Sequence, residues 1–163
     1  MNLSIRQVNI SNIREFISIL IEAAEWMDSI GMKNWDSSKF SIDEILIKSE
    51  LNDLFLCYAD NEPAGCLKLQ ETDMLFWPDD IKGEALYVHK LAVKRIFAGK
   101  GISTFMMDWA KEQAKLKKCN YLKLDCLANR SKLCMVYEKQ GFIKVDEKLV
   151  FGEVKSALYQ LKV

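Results

Sequence analysis

Two runs with strand period, DLFLCYA (Asp53–Ala59) and AGCLKLQ (Ala64–Gln70), flank Asp60-Asn61-Glu62-Pro63, a link written in turn residues. An antiparallel hairpin in this half of the chain excludes a doubly wound sheet, in which strands and helices would alternate throughout. Further on, EALYVHKLAV (Glu84–Val93) reads as a long strand, Ile102 to about Lys117 as an amphipathic helix, and YLKLDCL (Tyr121–Leu127) as a strand, which together make a βαβ unit. Before the hairpin, Leu3–Val8 alternates like a strand. A helix follows through Ile13, Phe16, Ile17, Leu20, Ala24 and Met27, with Ser11 or Asn12 as N-cap, Glu15 completing a capping box with Asn12, and Gly31 as the stop. A shorter helix spans Ser41 to about Glu50 with Ile42, Ile45 and Leu46 inward. Ser131–Gln140 is a helix closed by Gly141, and FIKVDEKLVF (142–151) and SALYQLKV (156–163) end the chain as antiparallel strands. The order β-α-α-β-β-β-α-β-α-β-β implies an α/β chain with a mixed sheet and helices packed on it.

With 163 residues, no repeat and no low-complexity linker, the expectation is a single domain over residues 1–163. Half the residues are apolar and 28% are charged, which excludes wholesale disorder. Lys plus Arg (23) equals Asp plus Glu (23), so the basic excess of a nucleic-acid binder is missing. No apolar run approaches the roughly 20 residues of a membrane helix, and MNLSIRQVN does not read as a signal peptide, so the expected compartment is the cytoplasm. Cys57, Cys66, Cys119, Cys126 and Cys134 are odd in number and lack C-x-x-C spacing, which suggests reduced, mostly buried thiols. With His89 the sole histidine, a zinc site of the usual Cys/His kind has almost no ligands, and no metal is expected.

The segment most able to carry chemistry is the strand Glu84–Val93, the loop KRIFAGKGIS and the helix from Ile102. Gly99 and Gly101 let the backbone approach an anion closely, and the free N–H groups of the following helix N-terminus point at it. A Walker A loop fails, because Gly101 follows Gly99-Lys100 and position 95 is Arg. A dinucleotide-binding fingerprint matches G-x-G but has Thr104 where the third Gly belongs; Asp125, about 24 residues after Gly101, keeps that reading open. A glycine-bearing turn that binds nothing is a further reading.

LYVHKLAVKRIFAGKGISTFMMDWA resembles the acetyl-CoA-binding segment of the GNAT N-acetyltransferase superfamily. In that family a strand ending like Leu91-Ala92-Val93 leads into a loop of form Q/R-x-x-G-x-G/A at a helix start. LDCLANRSKLCMVYEKQGF resembles that family's strand, asparagine loop and tyrosine helix, ending in YEK-x-GF (Tyr137–Phe142). The two segments cover roughly residues 84–146. Ala98 departs from the usual Gln or Arg and Ser103 from the usual Gly or Ala. Backbone amides carry most of a diphosphate contact, so neither change removes the cradle.

The resemblance implies a GNAT-like fold, a mostly antiparallel mixed sheet of about seven strands with about four helices, and acetyl-CoA as co-substrate. Leu91, Ala92 and Val93 would offer the pantetheine arm an added-strand contact. Phe97, Ala98, Gly99, Lys100, Gly101, Ile102 and Ser103 would wrap the diphosphate, and Asn129 would bond the pantetheine or distal part. Tyr137 would protonate the leaving thiolate. His89 matches a position where arylalkylamine-type members carry a histidine, and strand alternation puts it on the face of Leu91 and Val93 if no bulge intervenes. It is the leading general base, with Glu84, Asp125 and ordered water as rivals. Trp35, Trp77 and Asp125 would bound the acceptor site. The expected reaction is direct attack of a small-molecule primary amine on the thioester in a ternary complex, by a monomer or homodimer, with no nucleic-acid or membrane partner. A protein N-terminal or lysine acetyltransferase and a non-catalytic acyl-CoA-binding module are the alternatives.

Overall fold

A computed structural model of the chain describes residues 1–150 and 152–163. Its strands are β1 (Leu3–Gln7), β2 (Leu54–Ala59), β3 (Glu62–Gln70), β4 (Ala85–Val93), β5 (Tyr121–Leu127), β6 (Ile143–Lys148) and β7 (Ser156–Lys162). The helices are α1 (Ile13–Ser29), α2 (Ile42–Lys48), α3 (Ile102–Leu116) and α4 (Ser131–Lys139). The seven strands form one mixed sheet in the order β1-β2-β3-β4-β5-β7-β6, as the element order implied. The chain divides into two compact units, Met1–Leu69 with Lys90–Asp108, and Gln70–His89 with Trp109–Val163. None of the described helices is long and apolar enough to cross a membrane.

In the first unit, β2 pairs antiparallel with both β1 and β3. The hairpin turn is tighter than its sequence suggests. Asp60 and Asn61 both take positive φ (49° and 70°), the signature of a two-residue turn that matches strand twist. Glu62 and Pro63 are therefore already in β3, and the register slips between Cys57 and Tyr58, where Pro63 cannot donate to the ladder. The α1 residues Ile13, Phe16, Ile17, Leu20 and Ala24 bury one helix stripe against Leu54, Leu56 and Tyr58 of β2. Asn12 does not complete the expected capping box: its Oδ1 accepts from Asn9 N–H at 2.8 Å, and Glu15 accepts from the Tyr58 hydroxyl at 2.9 Å. In α2, Ser41 Oγ accepts from Glu44 N–H at 3.2 Å. That helix ends at Lys48 because Ser49 is extended, and Leu46, expected inward, is exposed.

Gly65 on β3 marks the closest approach in this unit. A Cβ there would lie 2.8 Å from Met106 Cε, 2.9 Å from the Ala92 carbonyl oxygen and 3.2 Å from Ile102 Cγ2. Met106 can swing away, but the carbonyl is fixed in β4. Gly65→Ala is expected to cost about 1–3 kcal/mol by overpacking. The check is the urea midpoint at constant m, and an unmoved midpoint would refute the close contact.

In the second unit, Ala85–Val88 of β4 pair in parallel with Tyr121–Leu124 of β5. β7 runs antiparallel to β5 and to β6. Phe76, Trp77, Ala85, Tyr87 and Leu158 form its apolar cluster. β6 is an exposed edge strand ending at Lys148; the expectation that the strand reaches Phe151 lies outside the described residues. The five cysteines are free thiols, all buried except the partly exposed Cys134.

Candidate active site

The first unit carries the glycine loop that follows β4. β4 is interrupted at Lys90, whose φ of 54° is left-handed, so strict alternation from His89 to Leu91 and Val93 does not hold. The condition attached to the shared face of those three residues is therefore not met. After Val93, a short 3-10 turn at Arg95–Phe97 leads to Gly99 and Gly101, with φ of 74° and 79°. A Cβ on either glycine would meet no atom within 4 Å, so these glycines serve backbone conformation and open approach rather than packing. The N–H groups of Phe97, Ala98 and Lys100 are engaged by the carbonyls of Lys94, Arg95 and Phe97. The first intrahelical bond of α3 runs from Phe105 N–H to Gly101 O, 3.0 Å. The N–H groups of Ile102, Ser103 and Thr104 precede it and have no acceptor within the helix. They aim a helix dipole at the loop, which suits a diphosphate.

Two contacts pin the start of this loop to α1. Arg95 N–H donates to Glu22 Oε2 at 3.1 Å, and the Arg95 guanidinium lies 3.9 Å from the centre of the Trp26 ring. Trp35, half-buried, meets Phe40 edge-on at 6.0 Å and carries the Lys90 ammonium 4.9 Å from its ring centre.

The second unit brings together three polar side chains. His89 Nε2 is 3.2 Å from Asp73 Oδ2, and His89 Nδ1 is 3.7 Å from Asp125 Oδ1. Asp73 escaped the sequence reading: it stands in the β3–β4 connection, 16 residues before its histidine, with no local motif to single it out. Its side chain is 5% exposed. Burial pulls its carboxyl upward, but the His89 imidazole and the Phe76 and Leu75 N–H groups outweigh this and hold it below the ordinary carboxylate range. Glu84, a rival base, precedes β4 and bonds the Asn120 side-chain amide at 3.3 Å. Four strand residues separate it from His89, and the five residue steps span about 16 Å of extended backbone, so the two do not act together.

Tyr137 of α4 is 8% exposed, with its ring 6.0 Å from that of Phe142 and 6.2 Å from that of Tyr159. Burial pushes its hydroxyl pKa well up, and the Asp125 charge acts in the same direction. The group is a proton carrier at neutral pH. The neighbouring Cys126 and Cys134 thiols are 3.7 Å apart. Asn129 is exposed in the turn between β5 and α4. Trp77 is buried, 5.5 Å from the Tyr87 ring and over Lys123, whose ammonium pairs with Asp80 at 2.6 Å. Its surroundings are those of a core residue, because the connection before β4 folds back onto that strand.

Residues 20–142 match the model of the acetyltransferase (GNAT) family. The chain is 30% identical over 130 residues to the uncharacterized N-acetyltransferase YesJ of Bacillus subtilis, covering 76% of this chain and 72% of that one. A GNAT-family acetyltransferase of Listeria monocytogenes shares the fold with a TM-score of 0.80 at 23% identity, over 99% of this chain and 95% of the other. The PaiA N-acetyltransferase of Thermoplasma acidophilum, solved in complex with coenzyme A, does so with a TM-score of 0.77 at 19% identity, over the full length of both. These two likenesses speak for the fold. The family match covers most of the chain and includes both the glycine loop and the tyrosine helix, so the protein belongs to the GNAT acetyltransferase family.

Proposed function

We propose that this GNAT acetyltransferase, one domain over residues 1–163, moves the acetyl group of acetyl-CoA onto the primary amine of a small-molecule acceptor. The observation that carries the reading is the imidazole of His89 with a carboxylate at each ring nitrogen. An amine arrives at neutral pH as an ammonium, with a pKa near 10, and cannot attack until a proton leaves it. Asp125 favours the cation electrostatically, and His89 Nδ1 takes its proton. Acetyl-CoA supplies the thioester carbonyl that the freed amine attacks. Backbone N–H groups at the end of β4 stabilise the developing oxyanion. As the C–S bond breaks, Tyr137 gives its proton to the departing thiolate; the attacking nitrogen sheds its second proton to solvent as the amide forms, and solvent reprotonates the tyrosine.

The residues named for the co-substrate keep their roles in this reading. Leu91, Ala92 and Val93 present backbone to the pantetheine arm, and the N–H groups of Gly99, Gly101, Ile102 and Ser103 hold the diphosphate. Phe97, Ala98 and Lys100 lend shape rather than amides, since their N–H groups are already engaged. Asn129 is free to reach the cofactor from its exposed turn. Trp35 supplies an apolar wall for the acceptor.

An acceptor screen with acetyl-CoA, following release of free thiol, tests this. Turnover is expected with at least one small primary amine and to exceed that on peptide N-termini or lysine side chains. Faster turnover on peptides than on every small amine would overturn the acceptor class.

A further inference from the structure

We infer that Asp73 is the positioning residue of the transfer reaction: its buried carboxylate accepts the Nε2 proton of His89, and so leaves Nδ1 as the basic nitrogen facing Asp125. The inference rests on the reading of His89 as general base. Asp73 is held rigidly. Its Oδ1 accepts the N–H groups of Leu75 and Phe76, each at 3.1 Å, and its backbone carbonyl accepts Trp77 N–H at 2.9 Å. With one oxygen pinned by two donors, the direction of the other is set. That other oxygen, Oδ2, is buried with no hydrogen-bond partner, and it lies 3.2 Å from His89 Nε2.

The chemistry follows from the donor inventory. An ionised carboxylate only accepts, so the ring nitrogen beside it must carry hydrogen. A neutral imidazole has one N–H, so placing it on Nε2 leaves the lone pair on Nδ1. Nδ1 and Asp125 Oδ1 are 3.7 Å apart, too far for a direct hydrogen bond. An ammonium or water donating to both fits that gap. On proton transfer an N–H bond of the ammonium breaks, an Nδ1–H bond forms, and the resulting imidazolium lies between two anions before it releases the proton to solvent. Tyr87, two residues earlier on β4, feels the Asp73 charge but is itself held protonated, chiefly by burial.

A divalent cation is the competing occupant, since ligand atoms of Asp73, His89 and Asp125 lie within 4.8 Å of one another. The two carboxylates, however, face different nitrogens of one ring, and the lone pairs of those nitrogens diverge. The arrangement is that of an imidazole held between anions, not of three ligands converging on a point.

His89 is the sole histidine of the chain, so imidazole nitrogen NMR of this chain reports it without assignment. The wild type is expected to show the Nε2–H tautomer. In Asp73→Asn, the side-chain oxygen must still take the Leu75 and Phe76 N–H groups, which turns the amide N–H toward Nε2. The tautomer is then expected to invert to Nδ1–H, and kcat to fall about 100-fold or more with KM for acetyl-CoA within about threefold.

An Nδ1–H tautomer in the wild type would overturn the proposal without any variant. An unchanged tautomer and kcat in folded Asp73→Asn, with His89→Gln still slow, would sink it alone. Full activity in His89→Gln would instead remove the base reading beneath it. Loss of turnover on EDTA treatment, restored by zinc or manganese with perturbed His89 signals, would replace positioning by metal binding.

Discussion

Tyr137→Phe is expected to lower turnover by about 10- to 1,000-fold while acetyl-CoA affinity changes by less than about tenfold. The substitution keeps the ring that rests between Phe142 and Tyr159 and removes only the hydroxyl, so the packing of α4 survives. A thiol has a pKa near 8.5, so its thiolate already leaves tolerably well, and this bounds the contribution of an acid from above. The burial that raises the Tyr137 pKa keeps its proton in place throughout the physiological range, as a donor requires. Single-turnover measurements check the prediction by isolating the chemical step. An unchanged rate there would leave the tyrosine as packing.

Gly101→Val is expected to weaken acetyl-CoA binding by tenfold or more, well beyond its effect on folding. The branched side chain enters space that no protein atom occupies within 4 Å of the Cβ, so the fold loses little to collision. Its folding penalty comes from a φ of 79°, about 1–2 kcal/mol for a residue with a Cβ. A diphosphate meeting the N–H groups of Ile102 and Ser103 would encounter the valine methyls directly. Gly31→Val supplies the control, because Gly31 has a similar φ of 73° and equally open surroundings at the end of α1, where no cofactor role is proposed. Calorimetric titration alongside chemical denaturation separates the two effects. Equal losses of binding and stability in Gly101→Val would assign the glycine to the turn alone.

The sheet and helices were legible because each relies on short-range periodicity. The stripe Ile13, Phe16, Ile17, Leu20, Ala24 repeats at helical spacing and is the stripe that is buried. Turn chemistry was legible in kind but not in extent: Asp60 and Asn61 suffice for the hairpin, which pulls Pro63 into the strand. Lys90 shows the limit. Lysine has no preference for left-handed φ, so nothing local announces a break in β4. Asp73 is hidden for a different reason. Its meaning comes from a histidine brought beside it by β4, and a carboxylate in a loop is unremarkable until that contact exists. Trp77 reads as a loop residue by position, yet the connection folds inward and Tyr87 covers it.

The break at Lys90 also bears on selectivity. Its ammonium lies 4.9 Å from the Trp35 ring centre and 5.3 Å from that of Phe40, so the negative potential above those aromatic faces is already neutralised by the protein's own cation. A positively charged guest gains no attraction there and is repelled by the lysine. Trp35 is thereby a hydrophobic surface with a built-in counter-cation, suited to an uncharged or anionic group rather than to a cation.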